Sequence, residues 1–128
     1  MPAPLRPLAG KRLLVVDDHE DAVEVLRIIL THAGADVVAS ASLESALPML
    51  SAATFDAVIT DLGFGDDQMA GTRMLAAVRP RPDRCPVIAV TGRKELENDL
   101  RVMGFDAVMM KPVDPFDLLA VVVRMVCP

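Results

Sequence analysis

The stretch Arg12–Asp18 reads RLLVVDD and decides the fold of this chain. A short apolar run that stops abruptly at two aspartates is typical of a buried parallel strand whose carboxyl end opens to solvent. The same pattern returns at Ala57–Thr60 (AVIT), which Asp61 follows, and at Val87–Val90 (VIAV), which Thr91 follows. These repeated endings predict several parallel strands in one sheet.

The segments between the strands show helical spacing. From Asp21 to Ala33 the apolar residues recur at the period of a helix, and Gly34 follows where a C-cap is expected. The remaining predicted elements are two strands, at Asp36–Ala39 and Ala107–Met110, and four helices, at Leu43–Ala52, Met69–Val78, Glu95–Met103 and Pro115–Val126. Strict alternation of strands and helices implies right-handed crossovers and a parallel sheet covered on both faces, a three-layered α/β fold.

Composition limits the classes of function. A length of 128 residues with 52% hydrophobic residues fits one domain with a real core. Eighteen acidic residues against thirteen basic ones give a net charge of −5, and the chain has no Trp or Tyr to stack on bases, so nucleic-acid binding is not expected.

The same composition argues against secretion and membrane insertion. Cys85 and Cys127 are too few for a disulfide framework, and we expect a reduced, cytoplasmic protein. The longest apolar run, Leu118 to Val123, is far shorter than the ~20 residues that span a bilayer, and Met1–Lys11 holds three prolines where a secretory signal needs an unbroken apolar stretch.

The residues directly after the strands predict chemistry. Because the carboxyl ends of parallel strands meet at one edge of the sheet, Asp17, Asp18, Asp61, Thr91 and Lys111 should lie close together. Carboxylates forced together repel unless a cation joins them, and an all-oxygen set suits a hard ion such as Mg²⁺. A nearby hydroxyl and a fixed positive charge can hold the oxygens of a phosphoryl group, so this edge predicts phosphoryl transfer to a carboxylate.

The segments LLVVDDHED, AVITD, VIAVTG and VMMKP resemble the signature segments of the response-regulator receiver domain of two-component signalling. The resemblance covers about residues 11–126 and implies residues 1–10 as an N-terminal tail and 11–128 as the receiver domain. It also implies a doubly wound, flavodoxin-like (βα)5 sheet of five strands in the order 2-1-3-4-5. This strand order comes from the resemblance alone, because a receiver-type protein is a known example of it.

The resemblance implies a Mg²⁺ site. Asp17 and Asp18 correspond to the family's metal-binding acidic pair, Asp61 to its third carboxylate, and Gly63 to the residue that lends the metal a backbone carbonyl. Mg²⁺ is therefore the implied cofactor.

The resemblance assigns the phosphoryl chemistry residue by residue. Asp61 would be the phosphoacceptor, Thr91 the hydroxyl that moves onto the phosphoryl group, and Lys111 the cation that contacts it. The peptide bond between Lys111 and Pro112 is expected to be cis. The implied partner is a sensor histidine kinase or a histidine phosphotransfer protein, and the domain would catalyse only its own phosphorylation and dephosphorylation rather than act as an enzyme.

Two features depart from the family pattern. The loop Gly63–Gly71 has no proline after the acceptor and carries about two extra residues, and its three glycines predict a loop that is mobile without phosphate or metal. Val108 stands where the family has an aromatic switch residue, three positions before Lys111, so a relay from Thr91 to an aromatic ring cannot work in its usual form.

Three other functions remain open at this level. A Mg²⁺-dependent phosphohydrolase can also use an aspartyl nucleophile, but such enzymes usually place it on the first strand with a second Asp two residues on. A flavin-binding module of similar topology would need a phosphate-cradling loop after the first strand. A receiver fold used without phosphate is the third alternative, and the intact acidic set argues against it.

Other polar residues near the site are mostly expected to be exposed to solvent. His19 is predicted to be an exposed first-turn histidine, and Asp66 and Asp67 a solvated turn. For Arg93, two positions past Thr91, two interpretations stay open: a solvated loop arginine, or a charge-assisted donor that lies over the phosphoryl oxygens.

The last helix carries apolar residues on more than one face. Those expected to turn toward the sheet are Phe116, Leu119, Val122, Val123 and Val126. Those left on a second stripe are Leu118, Val121 and Met125. A one-sided helix needs no second stripe, so this surface is predicted either to bind a partner or a second copy of the chain, or to be buried by close packing of the fourth and fifth helices.

Overall fold

A computed structural model describes residues 6–82 and 84–127. Its elements in chain order are β1 (Arg12–Val16), α1 (Glu20–His32), β2 (Asp36–Ser40), α2 (Leu43–Ala52), β3 (Ala57–Asp61), α3 (Ala70–Val78), β4 (Val87–Thr91), a 3₁₀ turn (Lys94–Leu96), α4 (Glu97–Met103), β5 (Ala107–Met110) and α5 (Pro115–Val126). The predicted alternation of strands and helices is confirmed.

The strands form one parallel sheet in the order β2-β1-β3-β4-β5. In this register Val16 on β1 pairs with Thr60 on β3, and Asp61 pairs with Val90 on β4. Thr91 in turn pairs with Met110 on β5. The strands therefore end side by side, and the residues that follow them share one edge, as the sequence predicts.

Both faces of the sheet are covered, because alternate strand residues point to opposite sides. Leu13 and Val15 belong to the apolar cluster that includes residues of α1 and α5, whereas Leu14 and Val16 belong to the cluster on the side of α2, α3 and α4. Nearly all strand side chains in the three central strands are buried, which explains their continuous apolar runs. The doubly wound α/β fold is thus confirmed.

Part of the predicted N-terminal tail packs against the domain. Leu8 is completely buried in the cluster beside α1 and α5, and its backbone N–H donates to the carbonyl of Ala33 at 2.9 Å. The thiol of Cys127 donates to the carbonyl of Pro7 at 3.2 Å, which ties the end of α5 to the same segment. Leu8 therefore adds to the core, while residues 6, 7, 9 and 10 around it are exposed.

The predicted orientation of α5 is wrong at two positions. Leu118, expected on an outer stripe, is completely buried, and Phe116, expected to face the sheet, is 68% exposed. Val121 and Met125 are half-buried and pack against the same cluster as Leu118. The helix is thus rotated relative to the prediction, and its second stripe is largely part of the core.

The ends of α5 follow the prediction. Asp114 caps its first turn, because the side chain accepts hydrogen bonds from the backbone N–H groups of Phe116 and Asp117, and Pro115 occupies the first helical position. The Lys111–Pro112 peptide bond is cis, as expected. No helix in the described part of the chain is long and apolar enough to cross a bilayer.

Candidate functional site

Asp61 is the most buried carboxylate at the carboxyl edge of the sheet. It ends β3, is 5% exposed, and its Oδ2 accepts a hydrogen bond from Lys111 Nζ at 2.9 Å. Burial raises the pKa of Asp61 above its ordinary value, and the contact with Lys111 opposes this rise only in part. The site thus holds a buried carboxyl group that is paired with a lysine ammonium group.

The backbone fixes the positions of the two partners of Asp61. The N–H of Lys111 donates to the carbonyl of Thr91 at 2.9 Å, which extends the pairing of β4 and β5 past their ends. Thr91 is 3% exposed, and its hydroxyl oxygen accepts a hydrogen bond from the N–H of Arg93 at 3.0 Å. Asp61, Gly63, Thr91 and Lys111 line one shallow cleft of about 280 Å³. The structure thus brings together the residues predicted to handle a phosphoryl group.

The acidic pair lies beside Asp61. Asp17 follows β1, and its N–H donates to the carbonyl of Ser40 at 3.0 Å, so the end of β2 holds its backbone. Carboxylate oxygens of Asp17, Asp18 and Asp61 and a ring nitrogen of His19 all lie within 4.8 Å of one another. Three carboxylates at this separation repel one another unless a cation joins them, and oxygen donors are those that Mg²⁺ prefers. The donor set therefore fits a divalent cation.

His19 is in closer contact with the acidic group than the sequence suggested. Its side chain is exposed as predicted, but Nδ1 lies 2.8 Å from Asp17 Oδ1, 3.2 Å from Asp18 Oδ1 and 3.7 Å from Asp61 Oδ2. The hydrogen bond to Asp17 and the charge of that carboxylate raise the pKa of His19. Its place directly after the acidic pair indicated that it lies nearby, but not that the ring turns toward the carboxylates.

The loop Gly63–Gly71 is anchored at several points. Phe64 is buried and forms a two-residue antiparallel bridge with Asp67, and the N–H of Gly65 donates to Asp18 Oδ2 at 3.1 Å. The N–H of Gly71 donates to the carbonyl of Leu62 at 2.7 Å. The expectation of a mobile loop considered only the glycines, whereas these contacts attach the loop to the acidic pair and to the end of β3.

Arg93 lies at the cleft beside Asp61, whereas Val108 lies in the core. Arg93 lines the cleft beside Asp61, but its Nε donates to Glu95 Oε1 at 3.1 Å rather than lying against Asp61. Glu95 has a pKa below its ordinary value because of a backbone hydrogen bond and this contact with Arg93.

Val108 is 8% exposed within the core, so an aliphatic side chain fills the position of the family's aromatic switch.

Comparison with known proteins identifies the family of this chain. The family model of the response regulator receiver domain matches residues 13–123. An uncharacterised 14.6 kDa protein of Leptolyngbya boryana is 31% identical over 122 residues, which cover 92% of each chain. The virulence sensor protein BvgS of Bordetella bronchiseptica is 32% identical over 117 residues, which cover 86% of this chain and only 10% of BvgS.

A solved structure has the same fold. It is the response regulator TrrA of Thermotoga maritima, crystallised in complex with Mg²⁺ and BeF. The two structures superimpose with a TM-score of 0.78 at 24% sequence identity, over 90% of this chain and 98% of the TrrA chain. Fold, family model and relatives agree on one class, the receiver modules of two-component signalling. This chain belongs to the family of response regulator receiver domains.

Proposed function

We propose that the chain is the phosphoacceptor of a two-component phosphorelay, in which Asp61 takes a phosphoryl group from a phosphohistidine in a Mg²⁺-dependent reaction. The observation that supports this most is the buried Asp61 carboxylate, held by Lys111 at 2.9 Å and surrounded by the acidic pair. The donor would be a sensor histidine kinase or a histidine phosphotransfer protein of the same cell, with the domain in the cytoplasm. The phosphorylated state would then change which proteins the domain contacts.

The reaction exchanges one bond to phosphorus for another. A carboxylate oxygen of Asp61 attacks the phosphorus in line, the bond from phosphorus to the histidine nitrogen breaks, and the nitrogen keeps the electron pair. Lys111, which pairs with the carboxylate, would contact a phosphoryl oxygen instead, and the Thr91 hydroxyl, which lines the same cleft, would donate a hydrogen bond to another. These charge-assisted contacts stabilise the acyl phosphate.

A metal ion would complete the charge balance. Asp17, Asp18 and Asp61 would hold Mg²⁺ through carboxylate oxygens, with the backbone carbonyl of Gly63 as a further ligand. Bound there, the ion supplies positive charge that offsets the repulsion between a phosphoryl donor and the carboxylates. The TrrA complex with Mg²⁺ and BeF supports the choice of ion.

The proposed activity is limited to the chain's own phosphorylation state. Asp61 is the group that gains and loses the phosphoryl group, so no separate substrate is turned over. BvgS is a sensor protein that contains a stretch similar to this chain, which supports a kinase partner.

A homodimer through α5 stays a prediction. Light scattering with and without beryllofluoride, for wild type and Val121→Glu, tests it.

Binding of beryllofluoride, a mimic of the phosphoryl group, tests the proposal. With Mg²⁺ present, we expect beryllofluoride at a hundred times its Kd to stabilise the fold by about 2.7 kcal/mol, because it binds only the folded site. EDTA should remove the effect. Differential scanning calorimetry measures the midpoint of unfolding in each mixture. An equal shift in EDTA, or no shift with Mg²⁺, would contradict the proposal.

Replacing Arg93 by alanine is expected to change the decay rate of the acyl phosphate severalfold while leaving Mg²⁺ affinity nearly unchanged. The reason is that Arg93 lines the cleft and can turn from Glu95 to a phosphoryl oxygen, yet it contributes no oxygen ligand. Decay is followed by intact-mass spectrometry after removal of the donor. Arg101→Ala is the control, because Arg101 pairs with Glu97 at 3.3 Å on the exposed side of α4. Identical decay in all three proteins would refute the role of Arg93.

A further inference from the structure

The His19 ring lies against the three carboxylates at the carboxyl edge of the sheet. Its Nδ1 contacts an oxygen of each of Asp17, Asp18 and Asp61, at 2.8, 3.2 and 3.7 Å. The side chain is 63% exposed, so neighbouring atoms do not force it into this place. The ring is attracted by the negative charge of the carboxylates, and it is the one nitrogen-containing side chain among the four clustered groups.

The limit on the spacing of the four donor atoms is only slightly wider than one coordination shell. With metal–ligand distances of roughly 2.0–2.2 Å for imidazole and carboxylate groups, opposite ligands of one ion lie about 4.2 Å apart. The donors of Asp17, Asp18, His19 and Asp61 all lie within 4.8 Å of one another. Small side-chain rotations are therefore enough for all four to reach a single ion.

We propose that His19 is a fourth protein ligand of this metal site and gives it a preference for a transition-metal ion of the Ni²⁺ type over Mg²⁺. The inference rests on the proposed function only in using the same three carboxylates. Mg²⁺ takes oxygen ligands and keeps much of its water, whereas imidazole is a favoured ligand of Zn²⁺, Cu²⁺, Fe²⁺ and Ni²⁺. A nitrogen donor among carboxylates thus selects for the second group of metals.

The local structure leaves His19 free to act in this way. It is the N-cap residue of α1, but its side chain makes no capping hydrogen bond, so the helix does not depend on the ring. His19 also borders a cleft of about 1030 Å³ between α1 and the turn that follows β5, which gives the ring room to reorient. Nδ1, which now contacts Asp17, would bind the metal, and Nε2 would keep its proton.

If His19 only substitutes for a cation, its removal changes the metal affinity in the opposite direction. If the ring only substitutes for a cation, it competes with every metal, and its removal strengthens binding of Ni²⁺ and Mg²⁺ alike. If it is a ligand, its removal weakens Ni²⁺ binding selectively. The sign of the change in Ni²⁺ affinity therefore separates the two roles.

Isothermal titration calorimetry of wild type, His19→Ala and His32→Ala with Ni²⁺ and with Mg²⁺ makes this comparison. His32 is the other histidine of the chain, lies at the far end of α1 and controls for unspecific binding by a surface imidazole. Cys127, the exposed thiol, is common to all three proteins. Since loss of an outer-shell partner already costs about 10-fold in affinity, we expect His19→Ala to weaken Ni²⁺ binding by at least about 10-fold. His32→Ala should bind Ni²⁺ like wild type.

Proton NMR gives a direct readout, because the chain contains only two histidines. Ring protons of a coordinated imidazole undergo large contact shifts with paramagnetic Ni²⁺, so we expect such shifts for His19 and not for His32. Unchanged or tighter Ni²⁺ binding by His19→Ala, or a His19 ring without contact shifts at saturation, would overturn the proposal. Beryllofluoride binding by wild type with Mg²⁺ tests the proposed function separately, so a failure of either can be recognised.

Discussion

Asp61→Asn is expected to abolish phosphorylation and, in the absence of metal, to make the fold more stable. The pKa of Asp61 is raised because its burial, with the nearby Asp17, outweighs the contact with Lys111. An ionised Asp61 therefore costs stability at neutral pH, and a neutral amide of the same shape avoids that cost. We expect a gain of about 1 kcal/mol, within the range that single stabilising substitutions commonly give.

The pH dependence of this gain follows from the direction of the shift. A carboxyl group whose pKa is higher in the folded state than in the unfolded state stabilises the fold when it is protonated, and this contribution is lost as the pH rises through the folded pKa. Wild type and Asp61→Asn should therefore differ most at neutral pH and converge in acid.

Calorimetric unfolding in EDTA, from acid to neutral pH, measures the difference in stability between wild type and Asp61→Asn. Asp66→Asn is the matched control, because Asp66 is an exposed carboxylate five positions along the chain. A variant less stable than wild type at neutral pH would show that the contact between Asp61 and Lys111 dominates instead.

Gly71→Ala is expected to destabilise the fold by about 3 kcal/mol, the upper end of the usual cost of overpacking. A Cβ atom at Gly71 would lie 2.6 Å from the carbonyl oxygen of Asp61 and 3.0 Å from the Cα of Leu62. Both are backbone atoms next to the acceptor and cannot move independently of the end of β3. Phosphorylation should consequently slow as well, because the position of Asp61 shifts.

The matched control for this substitution is Gly92→Ala. A Cβ atom at Gly92 meets only the Lys111 side chain, at 4.0 Å, which is an ordinary contact. Denaturant unfolding of both variants gives the free energies of unfolding. Equal stability of the two variants would show that the end of β3 accommodates the added methyl group.

The sequence was most informative at the ends of the strands. A change from apolar to polar residues marks where each strand leaves the core, and parallel topology alone then brings those ends to one edge of the sheet. Asp61 and Thr91 could be placed in this way, and the structure has them lining one cleft with Lys111. The prediction needed no knowledge of side-chain conformation.

The features that could not be predicted depend on helix rotation, side-chain conformation or long-range contacts. In α5 apolar residues occur on most faces, so the pattern did not distinguish the buried Leu118 from the exposed Phe116. The contact of the His19 ring with three carboxylates depends on one side-chain rotamer. The hydrogen bond from Gly65 to Asp18 joins residues 47 positions apart, and loop glycines carry no signal for such a partner.

The most direct test of the central claim is to map the phosphoryl group after incubation of the wild-type protein with acetyl phosphate. Intact-mass spectrometry followed by peptide mapping should show a single added phosphoryl group on Asp61 when Mg²⁺ is present. Treatment with EDTA should prevent the addition, because the carboxylates of Asp17, Asp18 and Asp61 then repel the donor. A phosphoryl group on any other residue, or equal modification of Asp61→Asn, would contradict the account.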